Sequence, residues 1–388
     1  IEIIAVMAEV TLAVILFSDA VRIELPRLRR QLGLPARLLG IGLPLTIALG
    51  ALVNSLLFPD RGFAEVALIA AVLAPTDAAL GSAVIEDESV PLRDRLTLNV
   101  ESGVNDGLAV PAVASFTAMV LEEEGTAGGW IAFIVRQVGW GVLIGLLVGA
   151  VGITALRFSN RRGWSDGRYE QLATFALPIV ALFAADALEG NSFIAAFVAG
   201  LTFGSFRYER VMSTEEANGA DGPAPAFFGE FCEDAAQLLA VGAFFVFGNV
   251  LLGQVVEQVS FRVACCVVLT LTVGRMLPVW ISLIGTGLRW PTRVFLGWFG
   301  PRGLASIIFG LLLLEDFERF ARSGDDLFGV IALTVTASVV LHGASAAWGA
   351  RVSGQWSGNA PFTEDEREEM HLPGMGDMTV TPRWGARD

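Results

Sequence analysis

Residues 73–81 read LAPTDAALG and lie inside an apolar run that covers residues 64–83. Pro75 lacks a backbone N–H and clashes with the preceding turn, so a helix through this run should break there. The break would leave free carbonyl groups and the start of a second half-helix beside Asp77, which suits cation coordination. A proline kink in which Asp77 caps the second half-helix fits equally well. The two interpretations are compatible, because a capping carboxylate can also be a ligand.

The composition predicts that lipid is the main solvent of the chain. Of its 388 residues, 54% are hydrophobic and only 17% are charged, and the mean hydropathy is +0.61. A soluble domain carries about 25% charged residues. The net charge of −14 argues against nucleic acid as a partner. The sequence therefore predicts an all-α polytopic membrane protein embedded in the lipid bilayer.

About eleven segments are candidates to cross the bilayer, which requires about 20 mostly apolar residues each. The segment 191–206 is short, and the segment 94–121 is more polar than the others. The predicted spans are 2–21, 38–58, 64–83, 94–121, 130–157, 169–188, 191–206, 226–252, 260–286, 292–314 and 326–350.

Arginine residues predict the orientation of these spans. They occupy alternate loops, starting with the first, whereas the loops between them are acidic or neutral, such as the one with Glu122–Glu124. Positive charges mark cytoplasmic loops, so the odd loops and the C-terminus are predicted to be cytoplasmic. Residues 1–353 would form the transmembrane domain. Residues 354–388 would form an acidic disordered cytoplasmic tail.

A second polar segment, residues 99–107, reads NVESGVNDG. On a helix Glu101 and Asn105 would share one face, and Ser102 and Asp106 would share the adjacent face. A charged group at the bilayer centre costs about 2.5–3.5 kcal/mol to insert and usually has a function. The alternative is a polar loop between two shorter helices, neither of which is long enough to cross alone.

The third polar segment, residues 297–306, reads GWFGPRGLAS. Its Gly-Pro pair predicts another break in an apolar helix, now beside Arg302. Because Arg302 is deep in its span, we expect it to neutralise a buried carboxylate; snorkelling to the headgroups is the alternative. Two broken helices in corresponding halves are typical of inverted-repeat transporters, with the site where the helices cross.

Buried carboxylates at such a crossing suggest a chemistry. Desolvation favours the protonated form of a carboxylate, so the group can hold either a proton or a small cation. Exchange follows if the site faces the two sides of the membrane alternately. The three cysteines and the two histidines, His342 and His371, lack metal-ligand spacing. We therefore expect no cofactor, no histidine catalysis and no enzymatic activity.

Taken together, TD at 76–77, ESxxND at 101–106 and GWxGPRG at 297–303 resemble the monovalent cation:proton antiporter-1 family. This family includes the NhaP-type antiporters and the sodium/hydrogen exchangers, and the resemblance covers roughly residues 1–350. The stretch LFSDA at 16–20 resembles the family's third helix. It implies that two helices are missing upstream and that the full count is thirteen.

The resemblance implies an NhaA/NhaP-like antiporter fold with inverted repeats and two crossing broken helices. It implies a homodimer in which a core domain, with ion-site helices at about 64–121 and 260–314, moves like an elevator. The implied activity is secondary exchange of Na⁺ or Li⁺ for protons in the cell inner membrane, serving pH and sodium homeostasis.

The same resemblance implies roles for particular residues. Glu101 would form an ion pair with Arg302, and Asn105 would orient the site. Because Asn precedes Asp here, the exchange is expected to be electroneutral. Separately, Arg275 lies in the middle of a span and is expected to pair with Glu233 or Asp234, in a structural or a gating role. Na⁺ would be bound by Asp106, Ser102, Asp77 and Thr76.

Several alternatives remain at this point. Potassium/proton exchange would use the same machinery, since the ligand set alone does not separate the two cations. A gated cation channel would differ in lacking saturable, proton-coupled flux, and a regulatory homologue would lack transport altogether. An intramembrane aspartyl protease would use Asp77 and Asp106 as a dyad, but the Tyr-Asp and Gly-x-Gly-Asp patterns of such enzymes are absent.

Overall fold

A computed structural model of the chain describes residues 2–21, 23, 33–87, 89–121, 127–164, 167–218, 230–252, 259–315 and 325–357. Within these ranges the regular structure is entirely helical. The helices are α1 (Glu2–Val21), α2 (Gly33–Leu57), α3 (Phe63–Val72), α4 (Ala78–Ile85), α5 (Leu92–Leu121), α6 (Ala127–Arg161), α7 (Gly167–Asp186), α8 (Ser192–Asn218), α9 (Glu230–Val246), α10 (Phe261–Leu271), α11 (Val273–Ser282), α12 (Trp290–Trp298), α13 (Leu304–Glu315) and α14 (Asp325–Ser357).

Each of the eleven predicted spans overlaps one of these helices or a pair of consecutive ones. The polar segment at 94–121 lies in one continuous helix, α5, so the alternative of a polar loop is wrong. The last helix extends to Ser357, four residues beyond the predicted end of the transmembrane domain. Residues 358–388 of the predicted tail lie outside the described residues.

Several helices have the length and composition of membrane spans. Exposed apolar side chains lie on their outer faces, for example Leu147, Val268 and Val340, in agreement with a multi-pass membrane protein. Among the described residues five helices meet both criteria: Gly33–Leu57, Leu92–Leu121, Ala132–Arg161, Phe261–Ser282 and Asp326–Trp356.

Glycines allow α6 and α8 to pack backbone against backbone. Gly141, Gly145 and Gly149 recur every four residues on one face of α6 and lie against α8. A Cβ atom on Gly145 would lie 2.6 Å from the carbonyl oxygen of Ala195. Small residues at such positions let membrane helices approach closely, where dispersion forces and helix contacts drive association.

We predict that Gly145→Ala destabilises the protein, because its methyl group forces α6 and α8 apart. Overpacking of this kind costs about 1–3 kcal/mol. Gly139→Ala is the matched control on the same helix, since nothing lies within 4 Å of the added methyl group. Thermal unfolding in detergent should show a lower midpoint for Gly145→Ala and an unchanged or higher one for Gly139→Ala. Equal midpoints would contradict the close packing.

Candidate functional site

Two helices are interrupted in mid-run, as predicted from their prolines. The first runs from α3 to α4 through a non-helical linker, residues 73–77. The second runs from α12 to α13 through residues 299–303. Pro75 and Pro301 lie within the two linkers, where the missing N–H and the ring of proline are incompatible with a helix interior.

The two linkers contact each other directly. The backbone N–H of Asp77 donates to the carbonyl oxygen of Pro301 at 2.8 Å. The Ser306 hydroxyl, at the start of α13, donates to the carbonyl oxygen of Val72 at 2.7 Å. These bonds satisfy backbone groups that the breaks expose, which is necessary at membrane depth. They also fix the two broken helices to one another at their centres.

Asp77 caps two helices at once. Its Oδ1 accepts from the N–H groups of Ala79, at 2.8 Å, and Leu80, at 3.1 Å, in α4. Its Oδ2 accepts from the N–H of Leu304, the first residue of α13, at 2.7 Å. A helix N-terminus carries a partial positive charge, so this carboxylate faces two such termini. A side chain at Gly303 would collide with the carboxylate.

Arg302 of the second linker binds carbonyl groups of the first linker. Its side chain is completely buried, and Nη1 donates to the carbonyl oxygens of Ala74 and Pro75, the latter at 3.0 Å. These are carbonyls that the end of α3 leaves without helical partners. The guanidinium therefore compensates the negative end of one half-helix, while Asp77 compensates two positive ends.

The predicted ion pair of Glu101 with Arg302 is wrong. Glu101 instead pairs with Arg275 of α11 through two hydrogen bonds, from Nη1 to Oε1 at 2.5 Å and from Nη2 to Oε2 at 2.7 Å. Both side chains are about 95% buried. The physical reason is that the Arg302 side chain turns towards the free carbonyls of the first linker.

Arg275 was expected to pair with Glu233 or Asp234, but both of its terminal nitrogens donate to Glu101. The pairing with Asp234 is therefore wrong, whereas the side chain of Glu233 lies outside the described part of the chain. The Arg275 guanidinium also lies against the backbone of Gly300, where a side chain would collide with it. Arg275 therefore connects α5 with the second linker. A bidentate pair of this kind is the geometry in which a buried charge pair is best compensated.

Three polar side chains connect the first linker with α5. The Nδ2 of Asn105 donates to Thr76 Oγ1 at 2.6 Å, and Thr76 Oγ1 is 3.1 Å from Ser102 Oγ. All three residues are buried. The predicted juxtaposition of the TD pair with the ESxxND pattern is therefore present in the fold.

Asp106 differs from Asp77 and Glu101, the two buried carboxylates described above. Its side chain is 9% exposed, and its Oδ1 has no hydrogen-bond partner in the described part of the chain. The neighbouring Oδ1 of Asn105 also lacks one there. Asp19 of α1 and Asp77 are the charged groups that act on the Asp106 carboxylate. An oxygen that is buried without a donor is costly unless a proton or a cation satisfies it.

Sequence reasoning missed the small polar residues that support the breaks. Besides Ser306, these are Ser338, which contacts the second linker, and His342, which contacts the end of α12; both lie in α14. Each lies in a mainly apolar run. The sequence did contain a signal, because burying a polar side chain in a membrane span costs free energy unless the side chain has a partner. That signal does not identify the partner.

In this chain two broken helices meet beside buried carboxylates. Many secondary transporters share this architecture. The comparisons with known proteins make this specific. The family model for the sodium/hydrogen exchanger transmembrane region matches residues 1–351. The chain belongs to the sodium/hydrogen exchanger family, the family of monovalent cation:proton antiporters, whose members are transporters.

Relatives in this family have different cations in their names. A probable Na⁺/H⁺ antiporter of Schizosaccharomyces pombe is 24% identical over 334 residues, which is 75% of this chain and 41% of that protein. The K⁺/H⁺ antiporter NhaP of Alkalimonas amylolytica is 26% identical over 347 residues, which is 87% of this chain and 55% of that protein. The chain thus spans about half the length of these curated relatives.

The fold is also that of a solved antiporter. The sodium proton antiporter MjNhaP1 of Methanocaldococcus jannaschii superimposes with a TM-score of 0.72 over 88% of this chain and 84% of that one, at 18% sequence identity. The expected NhaP-like all-α fold is therefore confirmed.

Proposed function

We propose that the protein is a secondary transporter that exchanges Na⁺ or Li⁺ for protons. The observation that carries the proposal is the Asp106 carboxylate, which is buried with an oxygen that no described donor satisfies. A proton or a monovalent cation can satisfy this oxygen, but both cannot do so together. Competition between the two for one carboxylate, combined with alternating access, produces exchange. Membership of an antiporter family supports this activity.

The proposed cation ligands lie around Asp106. Ser102, one turn earlier on α5, and the Thr76 hydroxyl are 3.1 Å apart and supply neutral oxygens. The Thr76 carbonyl lies in the non-helical linker and is a further oxygen ligand. Asp77 was expected as a ligand, but its two oxygens accept three backbone N–H groups. We therefore assign it to holding the linker in place.

The charges at the site support a one-for-one stoichiometry. Glu101 is neutralised by Arg275 through two hydrogen bonds, and Asp77 is held by helix termini. The side chain of Asn105 is a neutral amide and does not titrate. Of these four described residues, Asp106 is then the one that we assign to exchanging a proton for a cation, so each cycle would move one charge in each direction and be electroneutral.

Residues 1–353 are proposed to act as one transport unit, whose ion-site helices fall within 64–121 and 260–314. We propose that the C-terminus is cytoplasmic and that the protein resides in the inner membrane as a homodimer. The alternation of arginine-rich and acidic loops supports the orientation. The proposed role in the cell is pH and sodium homeostasis.

Proton movement in proteoliposomes tests the function and identifies the cation. With a pH gradient imposed, addition of Na⁺ or Li⁺ should dissipate the gradient, as reported by a pH-sensitive dye, whereas choline should not. A response to K⁺ alone would assign the chain to the K⁺/H⁺ activity named for some relatives. Electroneutral exchange should proceed at the same rate when valinomycin and K⁺ clamp the membrane potential. The absence of any cation response would contradict the proposal.

A further inference from the structure

One face of α14 lies against the break between α12 and α13. Ser338, His342, Ser345 and Gly349 are spaced by four, three and four residues, so they share one side of the helix. The backbone N–H of Arg302 donates to Ser338 Oγ at 2.6 Å.

Two further contacts reach the end of α12. The indole N–H of Trp298 donates to Ser345 Oγ at 2.9 Å, and the Trp298 and His342 ring centroids are 5.1 Å apart. At Gly349 a side chain would collide with the ring of Phe299. Polar side chains of α14 therefore stabilise the break. Such side chains are costly in a membrane span unless they have partners.

His342 has two carbonyl oxygens facing its two ring nitrogens. Nε2 is 2.9 Å from the carbonyl oxygen of Trp298 at the end of α12, which also accepts the backbone N–H of Gly300 at 2.8 Å. Nδ1 is 2.8 Å from the carbonyl oxygen of Ser338 and 3.1 Å from its hydroxyl. The ring is only 3% exposed, so water does not replace these partners.

The two protonation states of this ring make different bonds. A neutral imidazole donates from one nitrogen only, whereas an imidazolium donates from both. With Nε2–H donating to Trp298, the neutral ring leaves Nδ1 to accept the hydroxyl proton of Ser338. The protonated ring instead donates from Nδ1 to the Ser338 carbonyl, so the hydroxyl proton of Ser338 must rotate to another acceptor. Because the same hydroxyl accepts the N–H of Arg302, the two states hold the break differently.

The charges around the ring oppose one another. The guanidinium groups of Arg302 and Arg275 act on His342 from the break and from α11, and they disfavour a second positive charge. Arg275 is itself paired with Glu101 of α5. The two carbonyls favour the protonated ring, whereas burial favours the neutral one.

We propose that His342 is a positioning residue. Its protonation changes the hydrogen bonds between α14 and the second linker and thereby sets the pH dependence of exchange. The inference rests on the proposed exchange function. The path to the ion site is short, because Arg302 is held by Ser338 at its backbone and contacts the first linker, beside Thr76, with its side chain. A change at His342 is thus transmitted to the linker that carries the proposed ligands.

Titration of the ring is measured directly by NMR, without transport. The chain has two histidines, so the variant His371→Gln retains His342 alone. Histidine-labelled protein in nanodiscs should show ring signals that move from the neutral to the protonated position as the pH falls from about 8 to about 5. A ring that keeps one protonation state throughout this range would overturn the proposal. This measurement gives its answer even if cation exchange itself is not found.

Transport then tests the consequence. In proteoliposomes His342→Gln, which cannot take up a proton, should retain its maximal rate while its pH profile moves by about one unit or flattens on one side. Ser345→Ala is the matched control, since it removes a neighbouring bond on the same face and leaves both ring nitrogens in place. It should follow the wild-type profile. A uniform loss of rate at every pH in His342→Gln would indicate a purely structural role and overturn the proposal.

Discussion

Asp106→Asn is expected to abolish cation-driven proton movement while leaving the protein folded. The substitution removes the single carboxylate that we assign to both the proton and the cation, and an amide can replace it in neither role. Loss of an outer-shell partner of a metal ligand already costs about 10–100-fold, so loss of the charged ligand itself should reduce exchange by at least that much. The measurement is the initial rate of dye-reported proton movement after addition of Na⁺, Li⁺ or K⁺ to proteoliposomes.

Thermal unfolding separates this loss of function from a loss of structure. Asp106 Oδ1 has no described donor, so an uncharged amide relieves an uncompensated buried charge and should not lower the unfolding midpoint. Bound Na⁺ should raise the midpoint of the wild type by mass action and leave that of the variant unchanged. Asp60→Asn, at a carboxylate that is 88% exposed, is the control and should behave as the wild type. Wild-type exchange by Asp106→Asn would contradict the site assignment.

The second large effect is on stability and concerns the buried pair of Glu101 and Arg275. Glu101→Ala leaves the guanidinium buried without its partner, and breaking such a pair costs about 3–5 kcal/mol. We expect a correspondingly lower unfolding midpoint, or failure to fold in detergent. The cause is the stranded charge, so the double variant Glu101→Leu with Arg275→Met should recover most of the lost stability.

An exposed pair in the same protein provides the comparison. Arg136 and Glu189 are 3.0 Å apart, but their side chains are 51% and 73% exposed. Arg136→Gln should therefore cost less than about 1 kcal/mol. If Glu101→Ala were as mild as this control, or if the double variant were no more stable than Glu101→Ala, the pair would not be the structural support that its geometry indicates.

The architecture was largely predictable because its causes are local. Pro75 and Pro301 interrupt apolar runs, and the loss of a backbone donor breaks a helix in any context. The spacing of Glu101, Ser102, Asn105 and Asp106 determines their faces on α5 once that segment is helical. The juxtaposition of the two broken helices was predictable from the pattern they form in the two halves of the chain.

The pairing of buried charges was not predictable in the same way. Two arginines, Arg275 and Arg302, are both deep in spans, and the sequence alone does not give their distances to Glu101. The choice depends on free carbonyls at the end of α3, which attract Arg302 and exist only once the break has formed. The double cap by Asp77 was foreseen only in part, since its contact with Leu304 joins residues 227 positions apart.

The proposed assignment of both the proton and the cation to the Asp106 carboxylate has a consequence for the cell. Under one-for-one exchange the loaded site has the same charge with a proton as with a cation, so membrane voltage performs no work on the cycle. The exchanger then comes to rest when the cation ratio across the membrane equals the proton ratio. A pH difference of one unit can sustain a cation gradient of about tenfold and no more. A steeper cation gradient would have to be established by another transporter.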